Sequence, residues 1–435
     1  MNTPNIPESE IAAWVGLDWA DQQHVICLQA ADSAAVETSV VKQRPESIQA
    51  WVAQLQARFP QGKVAIALEQ SRGMVLYALM AYEGLVLYPI PPKTLAKYRE
   101  AFHSSGAKGD LSDAALLLDL VRRHRERFQA WVPDDPSSRQ LRLLVEERRK
   151  LVAQKTRLTN ELTSRLKSYF PQALDWVGEL DTRLACDFLQ RWPRLDSLQK
   201  ARPAQLEQFY RRHHCYRSAL IQQRLEQIRQ AQPLTRDRAV IAATSLMVQA
   251  LVRLLGPLLE SILQFDQQIE ALFAQHPDQA LWASFPGAGP VLAPRLQAAF
   301  GSDRARFQQA LELQQLSGIA PITQQSGKSR HVERRWARPK FLHQTFYEYA
   351  AQSRLACGWA RAYYEQQRAR GSKHPAAVRA LAYKWIRLLF RCWQNRVPYN
   401  EETYLKALAR HNPALRLAAE AAQSQMAKKK EKKAA

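Results

Sequence analysis

Four carboxylates stand where the chain's strand-like runs end and a helix begins. Asp18 closes the apolar run AAWVGLDWA, Glu69 closes KVAIALEQ, and Asp110 and Asp113 open the helical pattern of GAKGDLSDAALLLDLV. Strand ends that converge on one edge of a sheet bring distant acids together. A spacing of three sets Asp110 and Asp113 on one helical face. Gathered carboxylates repel one another, so a fold keeps such a group when a cation neutralises it. Hard oxygen ligands suit Mg2+ or Mn2+. Two such ions can clamp the attacking and leaving oxygens of a phosphodiester. The same residues also have plain structural uses. Asp18 can end a strand before a turn, and Asp110 and Asp113 can serve as an N-cap and a first-turn acid.

A second candidate lies far downstream. Ser326 and Gly327 form a Ser-Gly pair in a basic stretch with Lys328, Arg330, Arg334 and Arg335, and with Arg338 and Lys340 beyond. Glycine lets a nucleic-acid backbone approach closely, and arginines offset charge on a phosphate. A serine hydroxyl is a weak nucleophile and needs a base, a metal or positive charge to activate it. His331 and His343 are near, but neither has an evident acid partner. Taken alone, Ser326 therefore reads as a surface-loop serine in a basic segment. Ser317 and Ser329 are the competing serines. Upstream, FPGAGP reads as a helix-hairpin-helix-like turn. Gly287 and Gly289 there would let backbone N–H groups and a helix N-terminus meet a phosphate.

The charge fits such a substrate. The chain has 435 residues, a formal net charge of +22 and a pI of about 10.0. The stretch from His276 onward carries 27 Lys and Arg against 10 Asp and Glu, a net of +17. A polyanionic partner follows, with the C-terminal third its stronger binder. Cys27, Cys186, Cys215, Cys357 and Cys392 show no paired spacing, which argues against a zinc ribbon or a disulfide framework. His213, His214 and Cys215 are adjacent but lack a second ligand pair. The polar opening MNTPNIPESE is no signal peptide, and no run approaches the ~20 apolar residues of a membrane span. The expected setting is the cytoplasm, with no membrane partner.

Periodicity supplies the elements that must position these groups. Residues 12–128 read as α/β: three strands in a meander, a helix over Pro45–Phe59, the strand KVAIALEQ, a helix over Met74–Glu83 and the strand LVLYPIPP. Residues 137–275 read as a long helical, coiled-coil or dimerisation region. Leu144, Leu151 and Leu158 form a heptad stripe in its first helix, and a second helix spans about Ser245–Gln275 with Pro257 as a kink or restart. Its two stripes fit an intramolecular hairpin and a dimerisation arm equally. Residues 276–405 read as a mainly α-helical domain. Residues 406–435, ending in MAKKKEKKAA, read as a disordered basic tail.

In order and spacing these pieces resemble the DEDD-type transposases of insertion sequences, the serine recombinases guided by a bridge RNA. The resemblance runs from about residue 12 to 400. It rests on VGLDWA, ALEQSRG, AKGDLSDAALL, the arginine-rich helix VEERRKLVAQKTRLTNELTSRLKSYFP, and PGAGP followed by GIAP and TQQSGKS. It implies a ribonuclease-H-like (RuvC-like) N-terminal domain with Asp18, Glu69, Asp110 and Asp113 as metal ligands. It further implies Ser326 as nucleophile, donor and target DNA and a noncoding guide RNA as partners, and a dimer or tetramer. Two departures stand out. Gly109 takes the place of the usual threonine between Lys108 and Asp110, and SRHVERRWARP replaces a glycine-rich stretch after the serine. A metal-dependent junction resolvase in which Ser326 is a bystander, and a noncatalytic nucleic-acid-binding protein, are the alternatives.

Overall fold

The computed structural model of the chain describes residues 6–69, 73–102, 109–327 and 329–434. It divides into two compact units, residues 1–135 with 302–312, and residues 136–301 with 313–435. The helical region expected over 137–275 and most of that expected over 276–405 thus share the second unit. One cause is a buried polar link: Ser138 Oγ lies 2.9 Å from His276 Nε2, and Gln297 Nε2 lies 3.0 Å from the same nitrogen.

The first unit is a mixed α/β sheet of order β3-β2-β1-β4-β5. The strands are β1 (Ile11–Asp18), β2 (Gln23–Ala30), β3 (Glu37–Lys42), β4 (Lys63–Leu68) and β5 (Leu85–Pro89). The first three form the expected antiparallel meander, while β4 runs parallel to β1 and β5 parallel to β4. The helices are α1 (Pro45–Arg58), α2 (Met74–Leu79), α3 (Pro92–Phe102) and α4 (Asp110–Arg123). Alternation along the central strand β1 dictates the layers. Ala13, Val15 and Leu17 pack with Val52 and Leu55 of α1 and Leu76 of α2. Trp14 faces the other way, with Leu95 of α3 and Leu117 and Val121 of α4. Both faces of β1 are covered, which is why its sequence is a continuous apolar run.

Helices dominate the second unit. The helix α5 (Pro136–Tyr169) packs against the helix Arg238–Ala274 within the one chain, and Arg148 Nη2 donates to Asp266 Oδ2 at 3.0 Å. Leu162 and Leu166 share a core with Val248, Leu251 and Leu255. The two helices thus pack together within the chain, while Leu144, Leu151 and Leu158 stay half-buried and Leu246, Leu254 and Leu263 exposed. The second helix begins earlier than its periodicity suggests because Asp237 caps it, accepting from Ala239 N at 2.8 Å. It passes Pro257 without a break. By length and composition this helix could cross a membrane, contrary to the reading of the sequence. Its 37 residues exceed the ~20 a span needs, and one side of it is spent against α5.

The tail is the clearest departure. Pro413–Ala434 forms a helix where the sequence suggests disorder. Its low-complexity lysines hide a heptad-like row of Leu415, Ala419, Ala422 and Met426, all buried. The Ala419 carbonyl lies so close to Gly358 that a Cβ there would stand 2.7 Å from it.

Candidate active site

The parallel register of β1 and β4 decides where two of the acids stand. Leu17 pairs with Leu68, so Asp18 and Glu69 occupy the next positions on adjacent strands, at the same sheet edge. Asp18 is 8% exposed, and Glu69 is half-buried just beyond the end of β4. The helix α4 delivers the other two. Its close approach requires Gly16: a Cβ there would stand 2.0 Å from the Ala114 carbonyl oxygen and 2.4 Å from Leu118 N. Gly16 is two residues from Asp18 and Ala114 is next to Asp113, so one contact aligns helix start with strand end.

Asp110 and Asp113 then diverge. Asp110 is exposed, whereas Asp113 is fully buried. Arg99 of α3 donates to Asp113 Oδ1 from Nε at 2.8 Å and from Nη2 at 2.6 Å. The other oxygen, Oδ2, is buried with no hydrogen-bond partner. Among the described residues no three His, Cys, Asp or Glu side chains come together closely enough to hold a metal ion. The expected four-carboxylate cage is thus not assembled here. Asp110 points into solvent and an arginine neutralises Asp113. Lys108 of the AKGD motif and Gln70, Ser71 and Arg72 after Glu69 lie outside the described residues. Asp113 Oδ2 is left as an unspent carboxylate oxygen, a hard donor of the type divalent cations take.

Arg99 had no signal in the sequence. It lies 14 residues before Asp113, in a helix of its own. Arg99→Gln should leave a fully buried carboxylate unpaired and cost about 3–5 kcal/mol of stability. Urea unfolding in EDTA measures this. Added Mg2+ should recover part of the loss, since an ion that binds only the folded state stabilises it by mass action.

The serine region forms a hairpin. The strands β6 (Ile322–Ser326) and β7 (Ser329–Glu333) pair antiparallel, with Ser326 opposite Ser329. Gly327 has φ +55, the left-handed region a tight hairpin connection needs; Lys328 lies outside the described residues. Ser326 is exposed at the tip. Alternation puts Ser326, Ser329, Gln324 and His331 on one face and Gln325 and Arg330 on the other. Ser329 Oγ lies 2.9 Å from His331 Nε2. Ser317, in contrast, is fully buried and donates to Gln314 O at 3.2 Å. Arg334 is exposed and Arg335 half-buried beyond the hairpin.

The Pro-Gly turn joins the short helix Gln279–Ala283 to Gly289–Phe300, an arrangement that a plain turn between two helices shares with a helix-hairpin-helix-like motif. Its two glycines do different things. A Cβ on Gly287 would meet Ser353 Cα and Ala356 Cβ at 3.3 Å, so that glycine serves internal packing. Gly289, with φ +55, is exposed and has open space above it.

Two regions of the chain match transposase family models. Residues 15–171, which contain all four acids, match the transposase family DEDD_Tnp_IS110. Residues 279–365, which contain the hairpin and the Pro-Gly turn, match the transposase IS116/IS110/IS902 family. The chain is 27% identical over 406 residues to a mini-circle putative transposase for IS117 of Streptomyces coelicolor, covering 91% of this chain and 97% of that one. It is 27% identical over 394 residues to an uncharacterised 42 kDa protein of insertion element IS900 of Mycobacterium paratuberculosis, covering 90% and 98%. An uncharacterised 43.6 kDa protein of insertion element IS110, also of Streptomyces coelicolor, is 28% identical over 369 residues, or 80% and 86%. The chain belongs to the IS110-type transposases of insertion sequences, enzymes that cut and rejoin DNA.

Proposed function

We propose that this transposase cuts and rejoins donor and target DNA through a covalent serine–DNA link. The observation that carries the proposal is the placement of Ser326: exposed, at a hairpin tip, beside a glycine with positive φ and on a basic segment. Its hydroxyl oxygen attacks a phosphodiester phosphorus and a deoxyribose oxygen leaves. The serine proton passes to a base and the leaving oxygen takes one up. In the second half a deoxyribose hydroxyl attacks the phosphoserine, restoring Ser326 and joining the strands. One phosphoester replaces another at each step, so no ATP is needed. Arg334, near the serine in sequence, offsets negative charge as the phosphorus becomes five-coordinate.

The first unit reads as a ribonuclease-H-like (RuvC-like) domain, supported by its strand order and by acids at the ends of β1 and β4. Asp18, Glu69, Asp110 and Asp113 would hold Mg2+ or Mn2+, which supplies Lewis-acid stabilisation to phosphodiester chemistry. The chain's part is to orient these carboxylates, which the Gly16 contact and the α3–α4 pairing do for Asp113. The resemblance to bridge-RNA-guided recombinases supports a noncoding guide RNA that pairs with both DNAs, while the basic C-terminal third holds backbone. A dimer or tetramer supplies the several serines that strand exchange requires.

The hydrogen bond between Ser329 and His331 favours a second reading, in which Ser329 is the nucleophile and His331 its base. A trapping experiment separates the readings. Wild-type protein, guide RNA, Mg2+ and labelled DNA are quenched in denaturant, and the DNA-bearing peptide is mapped. Label on Ser326 supports the proposal, and label on Ser329 supports the second reading. Metal-dependent cleavage with no adduct would leave a junction-resolvase-like nuclease.

A further inference from the structure

Trp336 is 75% exposed, while the other ten of the chain's eleven tryptophans are buried or half-buried. It follows the hairpin directly, and the Arg334 guanidinium stacks 4.7 Å from its ring. Three arginines gather here without acids. Among the described residues none of Arg334, Arg338 and Arg379 forms an ion pair with a carboxylate. Arg338 lies along Gly318, where a Cβ would stand 2.2 Å from its Cδ. Burial and then Arg334 depress the Arg379 guanidinium, and burial, Arg334 and Arg379 depress that of Arg338. His343 donates from Nδ1 to the Ser317 carbonyl at 3.2 Å. Burial and these same three guanidiniums pull it down to about 4, so it is neutral at neutral pH.

Like charges held together cost free energy unless a counter-charge arrives. No carboxylate pairs with this cluster among the described residues, though Arg338 also donates to the Arg335 carbonyl, and arginines in this arrangement suit phosphate. An exposed tryptophan beside them, one face covered by Arg334, offers its other face to a flat π-system. We infer that Trp336 with Arg334, Arg338 and Arg379 forms a binding site for an unpaired nucleotide of a nucleic-acid strand, the base stacked on Trp336 and its phosphate on the arginines. A base inside a duplex has no free face to offer, so the site selects strand that is melted, flipped out or looped. The inference rests on the reading of this chain as a nucleic-acid-processing enzyme, and is independent of which serine reacts.

The test uses full-length protein carrying Ser326→Ala, so that no chemistry consumes the probe. Fluorescence anisotropy at fixed salt compares a single-stranded DNA, a single-stranded RNA of the same sequence and the matching DNA duplex. Trp336→Ala should weaken single-strand binding about tenfold, the value of one base–aromatic stack, and change duplex binding less than about twofold. Trp336→Phe should recover most of the loss. Arg379→Gln should weaken all three probes and lower the salt slope by about one. Preference between the DNA and RNA strands tells which polymer supplies the nucleotide. Because Trp336 is the exposed tryptophan, acrylamide quenching gives a second readout: a bound single strand should shield emission in the Ser326→Ala protein and not in its Trp336→Phe derivative. Unchanged single-strand affinity in Trp336→Ala, or an equal loss on duplex, overturns the inference. Failure of the serine proposal shows instead as a missing adduct, with these affinities intact.

Discussion

Asp18→Asn protein should fold and bind DNA as wild type does and transfer strands at least about a hundredfold more slowly. The substitution keeps shape and removes one negative charge from a position 8% exposed at the end of β1. Leu17 pairs with Leu68, so Asp18 and Glu69 each follow directly on the paired ends of β1 and β4. In the proposed metal site, loss of that charge would weaken the cation's hold, while the register of the sheet is set by the Ala13–Leu17 ladder. Near-UV circular dichroism should match wild type. Asp113→Asn makes the contrast. From sequence alone, each Asp→Asn change in a gathered set of acids relieves repulsion and leaves stability level or higher. Asp113 departs from this because Arg99 already neutralises it. Asn in its place leaves Arg99, 16% exposed, facing a neutral amide, so this protein should lose both transfer and stability. Transfer at the wild-type rate by Asp18→Asn would remove that acid from the chemistry.

These two substitutions also mark what the residues reveal before folding. The sheet is legible because β1 and β4 are unbroken apolar runs, and an acid directly after such a run has to lie at a sheet edge. That α4 brings Asp113 to the same edge follows from Gly16, whose role is visible only once the helix is seen 2.0 Å from where its Cβ would be. Arg99 was illegible because nothing in the pattern of α3 distinguishes one basic residue from another. The tail was misread for a related reason: lysine-rich composition outweighed a row of small apolar residues at heptad spacing. In the second unit, Ser326 and the arginines after it could be found by scanning a short window. Arg379 could not. It lies over forty residues beyond Trp336, on the helix His374–Asn395, and only packing brings it to Arg338 and His343. Trp336 is ambiguous by type, since ten of the eleven tryptophans do belong to cores or their margins.

Ser326→Ala protein should bind nucleic acid unchanged, form no covalent adduct and transfer strands at least about a thousandfold more slowly. A nucleophile cannot be replaced in part, so the loss is limited only by background hydrolysis, as when a catalytic serine is removed from other enzymes. The change should cost the fold little. Ser326 is exposed and pairs through its backbone with Ser329, and alanine keeps that pairing. The neighbouring serines turn this into a comparison. Ser317→Ala removes a fully buried hydroxyl that donates to Gln314 O, so it should lower stability by about 1 kcal/mol and leave the adduct in place. Ser329→Ala separates His331 from the tip. If Ser326 reacts unaided by that pair, Ser329→Ala keeps full adduct yield. If Ser329 passes the Ser326 proton to His331, the yield stays but the rate falls, and His331→Gln falls with it. If Ser329 itself reacts, Ser329→Ala abolishes the adduct while Ser326→Ala retains it. That last pattern would reject Ser326, and would move the nucleophile across the hairpin turn without altering the basic surface on which it works.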